Sequence, residues 1–79
     1  MKSDFRKAVS SELKIIRIEN NDLQEELSKK SKVATSTISR YEEGTRKMNL
    51  DKIEQILKPY EITLSIFFKR ILAKTQEIK

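Results

Sequence analysis

The chain has no cysteine and no histidine, which removes the disulfide framework, thiolate metal sites and the usual zinc ligands, so neither a metal nor a cofactor is expected. Tryptophan is missing, aromatic residues make up 6% of the sequence, and no apolar run approaches the roughly 18–20 residues of a membrane span. The opening MKSDFRKAVSSE lacks the hydrophobic stretch of a secretory leader, and a cytoplasmic location is the expectation. Glycine and proline occur once each. With so little turn chemistry and no two-residue alternation of apolar and polar positions, the expected fold class is all-α.

Charge is plentiful: 17 basic residues against 12 acidic ones give a formal +5 in 79 residues. That surplus is compatible with a polyanionic partner, but a 37% charged composition also describes any soluble helical surface. Distribution is more telling, because Lys29, Lys30 and Lys32 cluster at one place and Arg46 and Lys47 at another. The length fits one small domain over residues 1–79, with a modest core that dimerisation would reinforce.

The stretch from Gln24 to Gly44, QEELSKKSKVATSTISRYEEG, reads as two short helices joined by a tight turn and closed by the sole glycine. Leu27, Val33, Ile38 and Tyr41 are the apolar positions that two crossed helices would turn toward a shared core. Thr35, Ser36, Ser39 and Arg40 fall between them and point outward. Small hydroxyls with one guanidinium suit a helix entering a DNA major groove, where bulky apolar groups do not fit and acids are repelled by phosphate. An ordinary helical hairpin with a polar outer face would satisfy the same spacing.

Helical periodicity places elements at about 3–20, 23–31, 35–43, 50–58 and 64–75. In the first, Phe5, Val9, Leu13 and Ile16 form the apolar stripe, Ser3 or Asp4 can cap the start, and Asn20 and Asn21 are good terminators. Asp22 can cap the second, with Glu25 three residues on. Thr35 can cap the third, and Gly44 closes it in the left-handed conformation. Asn49 caps a fourth helix with Leu50, Ile53, Ile56 and Leu57 on one side, which Pro59 ends or kinks. Leu64, Phe67, Phe68, Ile71 and Leu72 repeat at spacings of three and four in the fifth.

Ile16-Arg17, Gln24-Glu25-Glu26-Leu27, Thr37-Ile38-Ser39 and Glu42-Glu43-Gly44 together give the chain a resemblance to the Cro and phage-repressor type (Xre-like) helix-turn-helix family, from roughly Leu13 to Phe68. The resemblance implies a compact five-helix domain of the lambda-repressor-like type and a sequence-specific regulator of transcription bound to double-stranded DNA. It implies that Gln24 holds a backbone phosphate and that Arg17 pairs with Glu42. Base contacts fall to Thr35, Ser36, Ser39 and Arg40, with Arg40 either gripping guanine in a bidentate manner or clamping a phosphate. Thr37, Thr45, Arg46 and Lys47 are the further phosphate contacts.

The chain departs from the family pattern at Asp22-Leu23, at Lys32 in place of the turn glycine, and at Ala34 in place of the hydroxyl cap. An acid at 22 would weaken the phosphate site, Lys32 would either adopt a left-handed conformation or change the turn, and Thr35 would be shared between capping and reading. Phe67-Phe68 and a length near 80 look most like the small controller proteins of restriction–modification systems.

A homodimer reading an inverted repeat is expected, since one small domain spans few base pairs. Leu64, Phe68, Ile71 and Leu72 are its interface candidates, with core packing as the alternative use of the same side chains. RNA polymerase is a further partner that a regulator of this type implies, and no effector pocket is recognisable. An enzyme is not expected: there is no glycine-rich loop, and the adjacent acids Glu25-Glu26 and Glu42-Glu43 point about 100° apart on a helix. The rival from another class is a protein-binding helical module such as an antitoxin or antirepressor.

Overall fold

The structure is a computed structural model that describes residues 2–45 and 47–77, with side chains described for 5–45 and 47–74. Its helices are α1 (Lys2–Glu19), α2 (Gln24–Ser31), α3 (Thr35–Glu43), α4 (Leu50–Leu57) and α5 (Leu64–Glu77), with one 3₁₀ turn at Lys58–Tyr60. No strand occurs among the described residues.

Each boundary has a local cause. The Asn20 side-chain amide donates to the Ile16 carbonyl (2.8 Å) and Asn21 takes a left-handed φ of 58°, ending α1. The cap of α2 corrects the sequence reading. Leu23, not Asp22, is the N-cap, and its N–H donates to the Glu26 carboxylate at 2.7 Å, so Glu26 rather than Glu25 closes the first turn. Lys32 closes α2 in the left-handed region (φ 65°), donating its N–H to the Ser28 carbonyl at 2.9 Å. This conformation favours glycine and costs a lysine about 1–2 kcal/mol.

Ala34 is the N-cap of α3 and supplies no side-chain bond, so Thr35 is the first helical residue and not a cap. At the other end the Thr45 and Gly44 N–H groups donate to the carbonyls of Arg40 (3.2 Å) and Tyr41 (3.3 Å), a Schellman closure that places Gly44 at φ 74°. Gly44 also lies close against α1: a Cβ there would lie 2.9 Å from Ser10 Oγ. Asn49 Oδ1 accepts the Lys52 N–H at 3.1 Å and caps α4, which gives way before Pro59 to the 3₁₀ turn.

The core draws Val9, Leu13 and Ile16 from α1, Leu27, Val33, Ile38 and Tyr41 from the central unit, and Ile53, Ile56, Leu57, Phe67 and Ile71 from the rest. Two stripe expectations, Leu50 and Phe5, fail here, and Ile71 takes the core-packing alternative. Leu50 leaves the buried stripe of α4 and is 57% exposed, because the stripe begins one turn later at Ile53. Ile71 is only 2% exposed within one copy, so it packs the core and has almost no surface to give a partner. Phe5, placed on the α1 stripe, is likewise half out of the core and stacks on Phe68 (centroids 6.1 Å, planes 18° apart).

Helix α5 is fastened to α1 by charge. Glu12, buried, accepts from Arg70 Nε at 2.7 Å and Lys74 Nζ at 2.6 Å, while Arg70 Nη2 reaches Glu19 at 3.0 Å. Burial would raise the Glu12 pKa, but the hydrogen bonds and charges of Lys74 and Arg70 outweigh it and hold the carboxyl below its ordinary range. The same contact raises the Arg70 pKa, led by its hydrogen bond to Glu12.

Candidate nucleic-acid interface

Helices α2 and α3 form the unit anticipated from the sequence, with Leu27, Val33 and Ile38 buried between them and Gln55 of α4 donating to the Ser31 carbonyl (2.9 Å) beneath the turn. On the outward side of α3, Ser36 and Arg40 are exposed and Thr35, Thr37 and Ser39 are half-buried. Because Ala34 occupies the cap position, the Thr35 hydroxyl makes no capping bond. No salt bridge among the described residues holds Arg40. Ser39 Oγ leans toward Glu43 at 3.4 Å, which adds an acid to this face that the sequence reading left out. Thr45 and Lys47 are exposed just beyond α3, and Arg46 lies outside the described residues.

Behind this face runs a polar network more extensive than one ion pair. Arg17 grips the Glu42 carboxylate with Nε at 2.7 Å and Nη2 at 3.0 Å, and its Nη1 donates to the Asp22 carbonyl at 2.7 Å. The bond to Glu42 leads the causes that raise the Arg17 pKa. Glu42 accepts a further bond from Gln24 Nε2 at 3.0 Å. An amide nitrogen carries two hydrogens, so this bond orients Gln24 and leaves the second N–H to donate elsewhere. Gln24 opens α2, where the free backbone N–H groups and the positive end of the helix dipole already favour an anion.

Asp22, the acid expected to weaken that site, is turned away from it. Its carboxylate takes Lys30 Nζ on both oxygens (3.0 and 2.8 Å) and the Tyr60 hydroxyl at 2.8 Å. The Lys30 bond, followed by that of Tyr60, holds the Asp22 pKa below its ordinary value. Burial, followed by the bond to Asp22, pushes the Tyr60 pKa up. Sequence reasoning missed Tyr60 because 38 positions separate it from its partner, and nothing local marks it. The departure from the family pattern at Asp22 was the one available signal.

Of the proposed dimer residues, Leu72 is exposed, Leu64 and Phe68 are half-buried against the core, and Ile71 is inside. Among the described residues no helix is long and apolar enough to cross a membrane.

A buried Arg–Glu clasp, a glutamine opening the second helix and a polar third helix on one small frame define a protein class, and the family match agrees: the helix-turn-helix family covers residues 13–67. The chain belongs to that family. Among solved structures it is similar to the wild-type restriction-modification controller protein C.Esp1396I, with 29% identity and a TM-score of 0.82 over 91% of this chain and 94% of that one. It is also similar to the C.Esp1396I tetramer in complex with its natural 35 base-pair operator, with 31% identity and a TM-score of 0.79 over 86% and 90% of the two chains. No curated protein sequence matches.

Proposed function

We propose that the chain is a sequence-specific double-stranded DNA-binding regulator of transcription, a controller of a restriction–modification operon that binds an inverted-repeat operator as a homodimer. The observation that carries this reading is the pairing of an exposed, unbridged Arg40 on α3 with a Gln24 already oriented by Glu42 at the start of α2. The N-terminus of α2 and Gln24 take a backbone phosphate, which sets the depth of α3 in the major groove. Thr37, Thr45 and Lys47 hold flanking phosphates, as Arg46 does on the basis of sequence. Thr35, Ser36 and Ser39 face base edges, and Arg40 spans guanine O6 and N7 for about 1–3 kcal/mol of discrimination.

Two copies related by a two-fold axis read half-sites with centres about 34 Å apart, with Leu64, Phe68 and Leu72 at their contact. A cytoplasmic location and contact with RNA polymerase at the promoter belong to the same reading. Selection of bound sequences from random duplex DNA, with the wild-type chain and with Arg40→Ala, tests it. A palindromic consensus that relaxes at one position per half-site in the variant supports the assignment. No enriched sequence sinks it and favours a protein-binding module. Affinity for the selected duplex is expected to fall about 10³–10⁵-fold between 50 and 200 mM salt if roughly 6–10 phosphates are neutralised.

A further inference from the structure

We infer that Tyr60 is a positioning residue of the phosphate site at the start of α2: together with Lys30 it keeps the Asp22 carboxylate from occupying that site in place of DNA. The inference rests on the DNA reading above and adds to it a residue that touches no nucleic acid.

The chain carries a rival to the phosphate. Asp22 stands two residues before Gln24, and the local partner of an aspartate side chain in a turn is the backbone N–H two positions on. That N–H belongs to the residue assigned to the phosphate. No side chain of the cap residue accepts from the first N–H groups of α2, so they are open to whichever anion reaches them.

Three hydrogen bonds draw the carboxylate the other way. Lys30 Nζ reaches both oxygens from the last turn of α2, at 3.0 and 2.8 Å, and the Tyr60 hydroxyl donates to Oδ2 at 2.8 Å. The two donors differ in what they can fix. Lys30 is a long side chain, 51% exposed, whose ammonium can follow the carboxylate as it moves. Tyr60 cannot follow it. Its ring packs against the core, and the 3₁₀ turn that carries it contains Pro59 and is closed by the Glu61 N–H on the Lys58 carbonyl at 2.9 Å. Lys30 therefore neutralises the acid, and Tyr60 sets where it points.

The backbone of Asp22 is fixed independently, because Arg17 Nη1 donates to its carbonyl at 2.7 Å. Only the side chain is left to turn. At 8% exposure the carboxylate has little water to replace a lost donor, so losing the hydroxyl favours the nearest open N–H groups, those of α2.

Tyr60→Phe tests this on the full chain, with the duplex selected by the wild type as the probe. The variant keeps the ring and loses the hydroxyl, so helical circular dichroism should be retained. A hydrogen bond to an ionised group shifts the balance between two side-chain positions about tenfold or more, and a site open for part of the time binds more weakly by that fraction. The Kd for the duplex should rise about 3–10-fold. In an Asp22→Ala background, which has neither the charge nor the acceptor, adding Tyr60→Phe should change Kd by less than about twofold. A readout without DNA is the Gln24 backbone amide. In Tyr60→Phe its resonance should shift and its exchange with solvent should slow, since the carboxylate has taken it.

A Tyr60→Phe Kd equal to that of the wild type overturns the inference. An equal loss in the Asp22→Ala background overturns it as well, because the hydroxyl then acts only on the fold, and so does an unchanged Gln24 amide. A wild type that enriches no duplex overturns the DNA reading and this inference with it; that failure is told apart by a Gln24 amide that still responds to Tyr60→Phe.

Discussion

Replacing Arg17 by Met removes three hydrogen bonds at once, two to Glu42 and one to the Asp22 carbonyl, and leaves the nearly buried Glu42 carboxylate with only the Gln24 amide. Removing one partner of a buried pair costs about 3–5 kcal/mol, since the remaining charge is neither hydrated nor matched. A domain of this length has a total stability of about 4–12 kcal/mol, so the variant should lose a quarter of it or more. At roughly 4–8 °C per kcal/mol, its melting temperature should fall by about 12 °C or more.

Arg17→Met combined with Glu42→Leu removes both charges and fills the space with apolar groups. That double variant should recover about 2 kcal/mol or more relative to Arg17→Met, with the orphaned Asp22 carbonyl setting the residual loss. Urea unfolding followed by circular dichroism measures all members of the cycle. If the double variant loses as much as the two single losses added together, the groups act as independent solvated charges and the reasoning is wrong. DNA binding supplies a separate reading: the double variant has lost the acceptor that orients Gln24, so its DNA affinity should stay low even where stability returns.

Acid should destabilise the fold through Glu12 and Asp22. Burial opposes ionised Glu12, but Lys74 and Arg70 outweigh it, and Lys30 with Tyr60 do the same for Asp22, so both folded pKa values lie below the unfolded ones. Their stabilisation is complete at neutral pH and drains as pH falls from about the ordinary 4.5 of a glutamate toward the folded values. Glu12→Gln should therefore be less stable than wild type at pH 7, by a margin that narrows on acidification in urea titrations; a margin independent of pH refutes the assignment. Ser10 Oγ is buried with no hydrogen-bond partner, so Ser10→Ala should stabilise the protein by about 1 kcal/mol in thermal melts. Gly44→Ala should destabilise it through both its positive φ and the contact with Ser10, and Ser10→Ala should relieve only the second part.

The frame was legible where a residue type has one physical reason to be where it is. A lone glycine at the end of a periodic run reads as a left-handed helix closure, and Asn49 ahead of Leu50 reads as a cap. Arg17–Glu42 came with the family resemblance and is present with bidentate geometry. Local competition between caps was not legible: Asp22 is the better capping residue by type, but Lys30 and Tyr60 engage its carboxylate, and Glu26 caps from inside the helix instead. Contacts such as Tyr60–Asp22 and Glu12–Arg70 depend on how whole helices pack, so no window of sequence contains them. Periodicity also misjudged Leu50 and Phe5, because an apolar stripe shows which side of a helix is inward but not where along the helix the neighbouring element ends.

The fastening of α5 to α1 has a consequence in time as well as in energy. Arg70 and Lys74 reach a glutamate 58 and 62 positions earlier in the chain, and contacts so distant in sequence close large loops before they return any stabilisation. Such contacts are expected after the rate-limiting step of folding, where they leave the folding rate almost unchanged and slow the reverse reaction. The Glu12 clasp then governs how long a folded copy lasts before a protease meets its open chain. For a regulator of transcription, that lifetime bears on how much of it is present to bind DNA.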